Sequence, residues 1–368
     1  MSRSYKRSLL LGAVVLIAAF YVLGTRPRIK HFQGETMGTT FSVSYVSTLF
    51  DHSVSDTTRA VNEALEDVNQ RMSTYRNDSE LMQFNQSPVG QPFKASDELV
   101  SLVQRSLEIS HMSGGAFDVT VGPLVNLWGF GPRGVDKVTN EISEVDEKAA
   151  GPEFVQWMLK NYPADVPPEP EIAAALENVG YQYLETDTVK GTLTRHRNLF
   201  VDLSSIAKGH GVDRAARALD DLGIKGYMVE VGGEVKLKGQ KPGNQAWRLG
   251  IRGPSLDASA PALVVSPSDR ALATSGDYLN YFEIDGQKYS HSINPATGRP
   301  EMGRLAEVSV ITDTVADADA FATMFMVLGD KKGLELANRE GIAAFFTYHS
   351  GEGFESVSSE AFKPYLLQ

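Results

Sequence analysis

Apolar and polar positions along the 368-residue chain fall into stretches of distinct period. An unbroken apolar run extends from Leu9 to Leu23 and stops at Gly24 and Thr25. Residues 39–47 (TTFSVSYVS) alternate apolar and polar, the period of a strand with one buried face. Between Asp56 and Met72 the residues Val61, Ala64, Leu65, Val68 and Met72 recur at helical spacing. A second amphipathic helix is predicted from Ser96 to about Met112, with Leu99, Leu102, Val103 and Leu107 inward and Gly114 near its end. From Gly131 to Pro170 the chain is rich in proline, glycine and charge. It shows little periodicity beyond Phe154–Leu159, so it reads as a surface insertion. Glu171–Val179 reads as one more short helix.

From Tyr181 onward the pattern turns β-rich. Strands are expected at Tyr181–Glu185, Thr192–Asp202, Tyr227–Lys236, Trp247–Arg252, Leu263–Val265, Tyr281–Ile284 and Ala306–Ile311. Helical patterns at Ile206–Leu222, Ala316–Leu328 and Lys332–Arg339 interrupt them. This mixture predicts an α+β protein whose large mixed β-sheet is flanked by helices. Residues 1–30 read as a leader or anchor and residues 31–368 as one domain, with 131–170 inserted in it.

Composition narrows the function classes. The formal net charge of −11 argues against nucleic acid as a partner, because a phosphate backbone calls for a basic face. The absence of cysteine removes zinc–thiolate sites, iron–sulfur clusters, thiol nucleophiles and disulfides. At the N-terminus, Arg3, Lys6 and Arg7 precede the apolar run as the basic region of a signal sequence does. The run is shorter than the about 20 residues of a full membrane span. Two readings stand, a cleaved or lipid-modified signal and a short uncleaved anchor. No A-x-A cleavage site follows, so a helix retained at the membrane is expected, although Arg26, Arg28 and Lys30 blur the charge rule that orients such helices.

Four constellations carry candidate chemistry. Asp319 and Thr323 are four residues apart in a helical pattern, so carboxylate and hydroxyl share one face. Two oxygen ligands without His or Cys suit a hard cation such as Mg²⁺. An aspartate early in a helix also simply complements the helix dipole. In Asp202-Leu-Ser-Ser205-Ile-Ala-Lys208-Gly-His-Gly211, a strand runs through small residues into a helix. Such a junction offers backbone N–H groups to an anion, and Lys208 adds a point charge; a tight turn with a solvated lysine fits the same residues. His291 stands just before the Asn294-Pro295 turn and is one of only seven histidines. It suits a general base and equally a structural histidine bonded to backbone. Finally, Met37-Gly38-Thr39-Thr40, Met72-Ser73-Thr74-Tyr75 and Gly114-Gly115-Ala116-Phe117-Asp118 place small residues beside aromatics, as a slot for a planar ring would; glycine turns and core aromatics fit the same residues.

Taken in order, MGTTFSV, MSTYRNDSEL, GGAFDVTVGPLVNLWGFG, VDLSSIAKGHGVD, VEVGGEV, TSGDYLNYFEIDG, SHSINPATGRP and ADAFATMFMVLG resemble the ApbE family of FAD:protein FMN transferases. The resemblance runs from about Phe32 to Leu366. It implies FAD as bound substrate and a divalent cation, Mg²⁺. By resemblance, Asp319 and Thr323 are the side-chain metal ligands and Ser205 supplies a carbonyl oxygen. Met37, Tyr75, Ala116, Phe117, Asp118, Asp202, Lys208 and Ile293 fall at positions that contact FAD. His291 falls at the family's histidine, a base for the attacking hydroxyl, and Asp319 joins it as a catalytic residue. The implied acceptor is a Ser/Thr hydroxyl in a [DS]-G-[AS]-T-type motif of redox subunits like those of Nqr and Rnf complexes. The resemblance also implies an extracytoplasmic, periplasmic domain held at the inner membrane. Two other readings are a FAD pyrophosphatase and a non-catalytic flavin-binding protein. Three departures stand out. Thr25 occupies the place of a lipobox cysteine, which excludes a lipid anchor there. Ala322 stands where some relatives are acidic, and the 131–170 loop is long.

Overall fold

The computed structural model describes residues 11–14, 16, 21–22, 24–131, 166–251, 253, 263–277, 281–284, 287–351 and 353–366. Eight strands form one large sheet: β1 (Arg28–Thr36), β2 (Thr39–Ser47), β3 (Tyr227–Val231), β4 (Glu234–Lys238), β5 (Ala271–Gly276), β6 (Leu305–Thr312), β7 (Ala343–Ser350) and β8 (Gly353–Ser358). Their order across the sheet is their order along the chain, and every neighbouring pair is antiparallel. The α+β class is as expected, but the sheet is antiparallel rather than mixed. The helical excursions between β2 and β3, and between β6 and β7, re-enter the sheet at the end they left. Parallel neighbours need a crossover to the opposite end.

The helices are α1 (Val54–Met72), α2 (Glu80–Gln86), α3 (Asp97–Ser113), α4 (Gly122–Leu127), α5 (Glu169–Leu176), α6 (Ala207–Asp221) and α7 (Val315–Glu340). Ser53, Ser79 and Ser96 cap α1, α2 and α3, each hydroxyl accepting a hydrogen bond from a backbone N–H in the first turn. Each cap contributes about 1 kcal/mol. The stripe read from α1 is buried at Val61, Leu65, Val68 and Met72, and half-buried at Ala64. Helix α6 lies on β3 and β4 and α7 on β5 and β6; α6 also packs against α1 and α7. At Gly329 (φ 75°) α7 leaves helical geometry, so its two stretches match the two separate helical patterns expected there. The opposite face of the sheet is covered by Trp247, Leu249, Ile251, Val265 and Phe362, which pack on Val235, Leu237, Leu272 and Ile311.

Several expected elements differ in extent. Thr192–Asp202 keeps strand geometry only over Thr192–Arg195. Tyr227–Lys236 is two strands, because Gly232 (φ 58°) and Gly233 (φ 101°) turn the chain between β3 and β4. Four strands, β1, β5, β7 and β8, were not expected at all. Helix α5 starts at Glu169, inside the expected insertion; residues 132–165 of that insertion lie outside the described residues. The expected anchor run, Leu9–Leu23, is described only at residues 11–14, 16 and 21–22, which are helical. No helix of the described residues is long and apolar enough to cross a membrane.

Candidate active site

The site is built where α6 and α7 meet. Gly209 lets the two helices touch: a Cβ there would lie 2.3 Å from the Val315 carbonyl oxygen. Asp213, one turn further along α6, accepts hydrogen bonds from the backbone N–H groups of Val315 and Ala316, each at 3.0 Å. These are unsatisfied donors at the start of α7, so Asp213 clamps that helix end to α6. With the helices so fixed, Asp319 on α7 receives the Gly209 N–H on Oδ2 at 3.0 Å. Gly209 N–H would otherwise be directed at the Ser205 carbonyl, one turn back. No backbone N–H of the described residues donates to that carbonyl, which is left open as a ligand.

Asp319 is buried, and burial pushes its carboxyl above the usual range against the pull of Lys208 and the Gly209 N–H. Lys208 Nζ lies 3.9 Å from Asp319 Oδ1 and donates a hydrogen bond to Glu234 Oε1. Burial works against its charge, but Asp319 and Glu234 outweigh it and hold the ammonium above the ordinary lysine range. Glu234 opens β4 and is itself buried. Burial raises its carboxyl to about 7 against the opposing Lys208 charge. Thr323 follows Asp319 by one helical turn, and its Oγ1 lies 3.5 Å from Ser275 Oγ on β5. Asp319, Thr323 and the Ser205 carbonyl are all hard oxygen donors, the set that suits Mg²⁺ rather than zinc. Among the described residues no group of three or more His, Cys, Asp or Glu could hold a metal, so any cation here depends on carbonyl and hydroxyl oxygens beside one carboxylate.

A second group gathers beside the 202–205 turn. Asp202 is buried; its N–H bonds the Val119 carbonyl at 2.7 Å and its Oδ1 accepts from Ser204 N–H at 2.8 Å. Burial raises its carboxyl. Tyr75 is exposed along part of its ring, yet burial of its hydroxyl and the nearby Asp202 carboxylate push that hydroxyl up to about 12. The Tyr75 hydroxyl donates to the Phe130 carbonyl at 3.4 Å, and the Phe130 ring meets the His291 ring edge-on, with centroids 6.4 Å apart. Phe130 therefore links the two, through its carbonyl to the Tyr75 hydroxyl and through its ring to His291. Met37 sits at φ 50°, a left-handed conformation rare outside glycine, in the two-residue turn between β1 and β2. That turn lays its side chain against Gly211 of α6, where a Cβ would lie 2.6 Å from Met37 Cε.

The remaining expected residues play quieter parts. The Phe117 side chain is in the main core and that of Ile293 packs with Leu124, Trp128 and Ile172, so neither ring nor aliphatic chain is open to a ligand. Asp118 accepts from Thr120 N–H at 2.8 Å and from Tyr181 N–H at 2.9 Å, which ties down a loop, and burial raises its carboxyl. Ala116 is half-buried beside it. Residues the sequence reading gave no role are Asp213, Glu234, Ser275 and Phe130. Glu234 lies in the VEVGGEV segment and Phe130 in NLWGFG, so both were visible as motif members without a task. Two surface grooves, one lined by Gln104, His111, Gln182 and His196 and the other by Val46, Leu222 and Lys225, share no lining residue with this cluster.

Comparison with known proteins bears on this arrangement. The model of the ApbE family matches residues 37–346. The FAD:protein FMN transferase of Vibrio cholerae serotype O1 is 40% identical over 340 residues, covering 91% of this chain and 92% of that protein. The FAD:protein FMN transferase of Salmonella typhimurium is 35% identical over 367 residues, covering 96% and 97%. Among solved structures, the flavin transferase ApbE from Vibrio cholerae superposes with a TM-score of 0.79 at 37% identity, covering 92% of this chain and all of that one. The apo flavinyl transferase ApbE of Pseudomonas stutzeri gives 0.79 at 36% identity, covering 93% and 98%.

Proposed function

The chain belongs to the ApbE family, and from that premise and the geometry above we propose that it is an FAD:protein FMN transferase, moving FMN from FAD onto an acceptor protein and releasing AMP. The observation that supports the reading is the junction of α6 and α7, which holds the buried Asp319 carboxylate beside the Gly209 N–H and the Lys208 ammonium. With a divalent cation bound to it, such a junction would suit a diphosphate. In the reaction an acceptor hydroxyl oxygen bonds to the FMN phosphorus, the bond from that phosphorus to the bridging oxygen breaks, and AMP leaves with that oxygen. The hydroxyl proton goes to a base. Such transfer depends on positioning and charge more than on covalent protein chemistry.

His291 is the proposed base, with its ring edge-on to that of Phe130. Lys208 places a fixed positive charge for a phosphate oxygen. Asp202 sets the turn that presents Ser205, while Tyr75, Met37 and the Ala116–Asp118 loop border the space for the rings of FAD. Mg²⁺, held by Asp319, Thr323 and the Ser205 carbonyl, would neutralise charge on the diphosphate and its leaving group. The acceptor is proposed to be a Ser/Thr hydroxyl in a [DS]-G-[AS]-T-type motif of an Nqr- or Rnf-like redox subunit. The basic residues and apolar run at the N-terminus support an enzyme held at the inner membrane with its domain in the periplasm.

The test is incubation of the protein with FAD, Mg²⁺ and an acceptor domain, followed by a denaturing gel inspected for flavin fluorescence. Fluorescence on the acceptor band is expected. Free FMN and AMP without a labelled acceptor would instead mark a pyrophosphatase, and intact FAD a binding protein. The Asp319→Ala variant is expected to lose turnover with Mg²⁺ present; full activity would remove the metal assignment.

A further inference from the structure

The proposed reaction leaves Glu234 without a task, yet its setting is unusual. It follows the Gly232-Gly233 turn directly and is 2% exposed. Its Oε1 accepts the Lys208 ammonium, and its Oε2 is buried with no hydrogen-bond partner among the described residues. A buried carboxylate with one oxygen unsatisfied is costly, and an apolar residue would fill the same position at less cost. Something other than stability therefore accounts for the charge.

Lys208 stands between two carboxylates. It rests on Glu234 and lies beyond hydrogen-bond distance from Asp319, 3.9 Å from Oδ1. Asp319 Oδ2 is engaged by the Gly209 N–H, so Oδ1 is the oxygen left for a cation. An ammonium that settled on Oδ1 would compete with a divalent ion for that atom and repel it. We propose that Glu234 is a positioning residue that anchors the Lys208 ammonium and so keeps Asp319 Oδ1 open to a divalent cation. The position of Lys208 follows from this: close enough to Asp319 to serve a phosphate bound beside it, and tethered so that it does not close the cation's place. The inference rests on reading Asp319 as a cation ligand.

The experiment measures Mn²⁺ binding to the full-length protein without FAD, following the free ion by electron paramagnetic resonance. Wild type and Asp319→Ala establish the site; Glu234→Gln, Lys208→Met and the Glu234→Gln/Lys208→Met double variant test the inference. Glu234→Gln is expected to weaken Mn²⁺ binding about 10- to 100-fold, the usual cost of losing a partner just outside the ligands. The double variant, which has no ammonium to compete, is expected to return to near wild-type affinity. Lys208→Met alone is expected to bind at least as tightly as wild type, and this result does not depend on Glu234→Gln folding. Wild-type affinity in Glu234→Gln overturns the proposal. So does a double variant as weak as the single one, or a Lys208→Met variant that binds worse than wild type. Should Asp319→Ala bind Mn²⁺ unchanged, the cation reading of Asp319 falls with it.

Discussion

Gly209 offers the sharpest test of the site's construction, because two opposing effects can be weighed at one atom. Replacing it with alanine in the first turn of α6 gains about 1 kcal/mol of helix propensity. The new Cβ, however, would lie 2.3 Å from the Val315 carbonyl oxygen, 2.6 Å from Val315 C and 2.9 Å from Ala316 Cα. All three are backbone atoms of the next helix, so no rotamer change relieves them; α6 and α7 must separate. Overpacking of this kind costs about 1–3 kcal/mol and sometimes more. Separation also stretches the Gly209 N–H bond to the Asp319 carboxylate, a bond to a charged group worth about 1.5–3 kcal/mol. The sum leaves Gly209→Ala about 2–5 kcal/mol less stable than wild type. Gly211→Ala is the control. It has the same propensity gain in the same helix, but its Cβ meets the flexible Met37 Cε at 2.6 Å, an end that can swing aside. Its stability is expected within about 1 kcal/mol of wild type, the cost appearing instead as a raised KM for FAD. Urea unfolding of both variants decides the matter. Equal stabilities for the two would refute the claim that helix contact at Gly209 builds the site.

Other outcomes follow from the same geometry. His291→Ala is expected to lower kcat about 10²- to 10⁴-fold with little change in FAD affinity, read by in-gel fluorescence rates and flavin quenching titration. Asp213→Ala removes both acceptors from the start of α7 and is expected to cost about 1–2 kcal/mol by chemical denaturation. The Glu234 carboxyl is raised from 4.5 to about 7, so between those values the folded protein holds a proton that the unfolded chain has released. This contribution to stability is full below about pH 4.5 and is lost as pH rises through about 7. Metal-free protein should therefore lose stability across that window in thermal melts at stepped pH, and Glu234→Gln should flatten the slope.

What was legible in the sequence is what short-range patterning controls. The apolar stripe of α1, and the start at Ser96 and glycine stop of α3, each depend on residues within a few positions of one another. The four unexpected strands lack that local signature. β7 (AAFFTYHS) begins with a run of apolar residues rather than an alternation, β5 (ALATSG) is short and mostly small residues, and β1 is largely polar because it forms a sheet edge. Their assignment comes from pairing with partners far along the chain. At the site, Asp319 and Thr323 were visible as a pair because one helix carries both. Asp213 was not, because its partners lie 102 and 103 residues away. Glu234 was equally hidden, since only the β3–β4 turn brings it beneath Lys208. Phe117 shows another limit: its motif is local and conspicuous, yet only the tertiary packing shows that its ring lies in the core.

Charge arithmetic explains why so small a donor set can suffice for a large anionic substrate. With all three groups ionised, Asp319, Glu234 and Lys208 sum to −1, and both carboxylates are buried, where water screens little. A diphosphate arriving alone would meet a net negative pocket. A divalent cation on Asp319 would turn the sum to +1 and convert repulsion into attraction. Having one carboxylate for the cation and the other on Lys208 would keep the loaded pocket positive. It would also couple the two ligands, each raising the affinity for the other by the same factor. FAD binding followed by flavin quenching should accordingly tighten as Mg²⁺ is added, and Asp319→Ala should abolish that gain. An unaltered gain in that variant would mean that a cation at Asp319 is not what draws the diphosphate in.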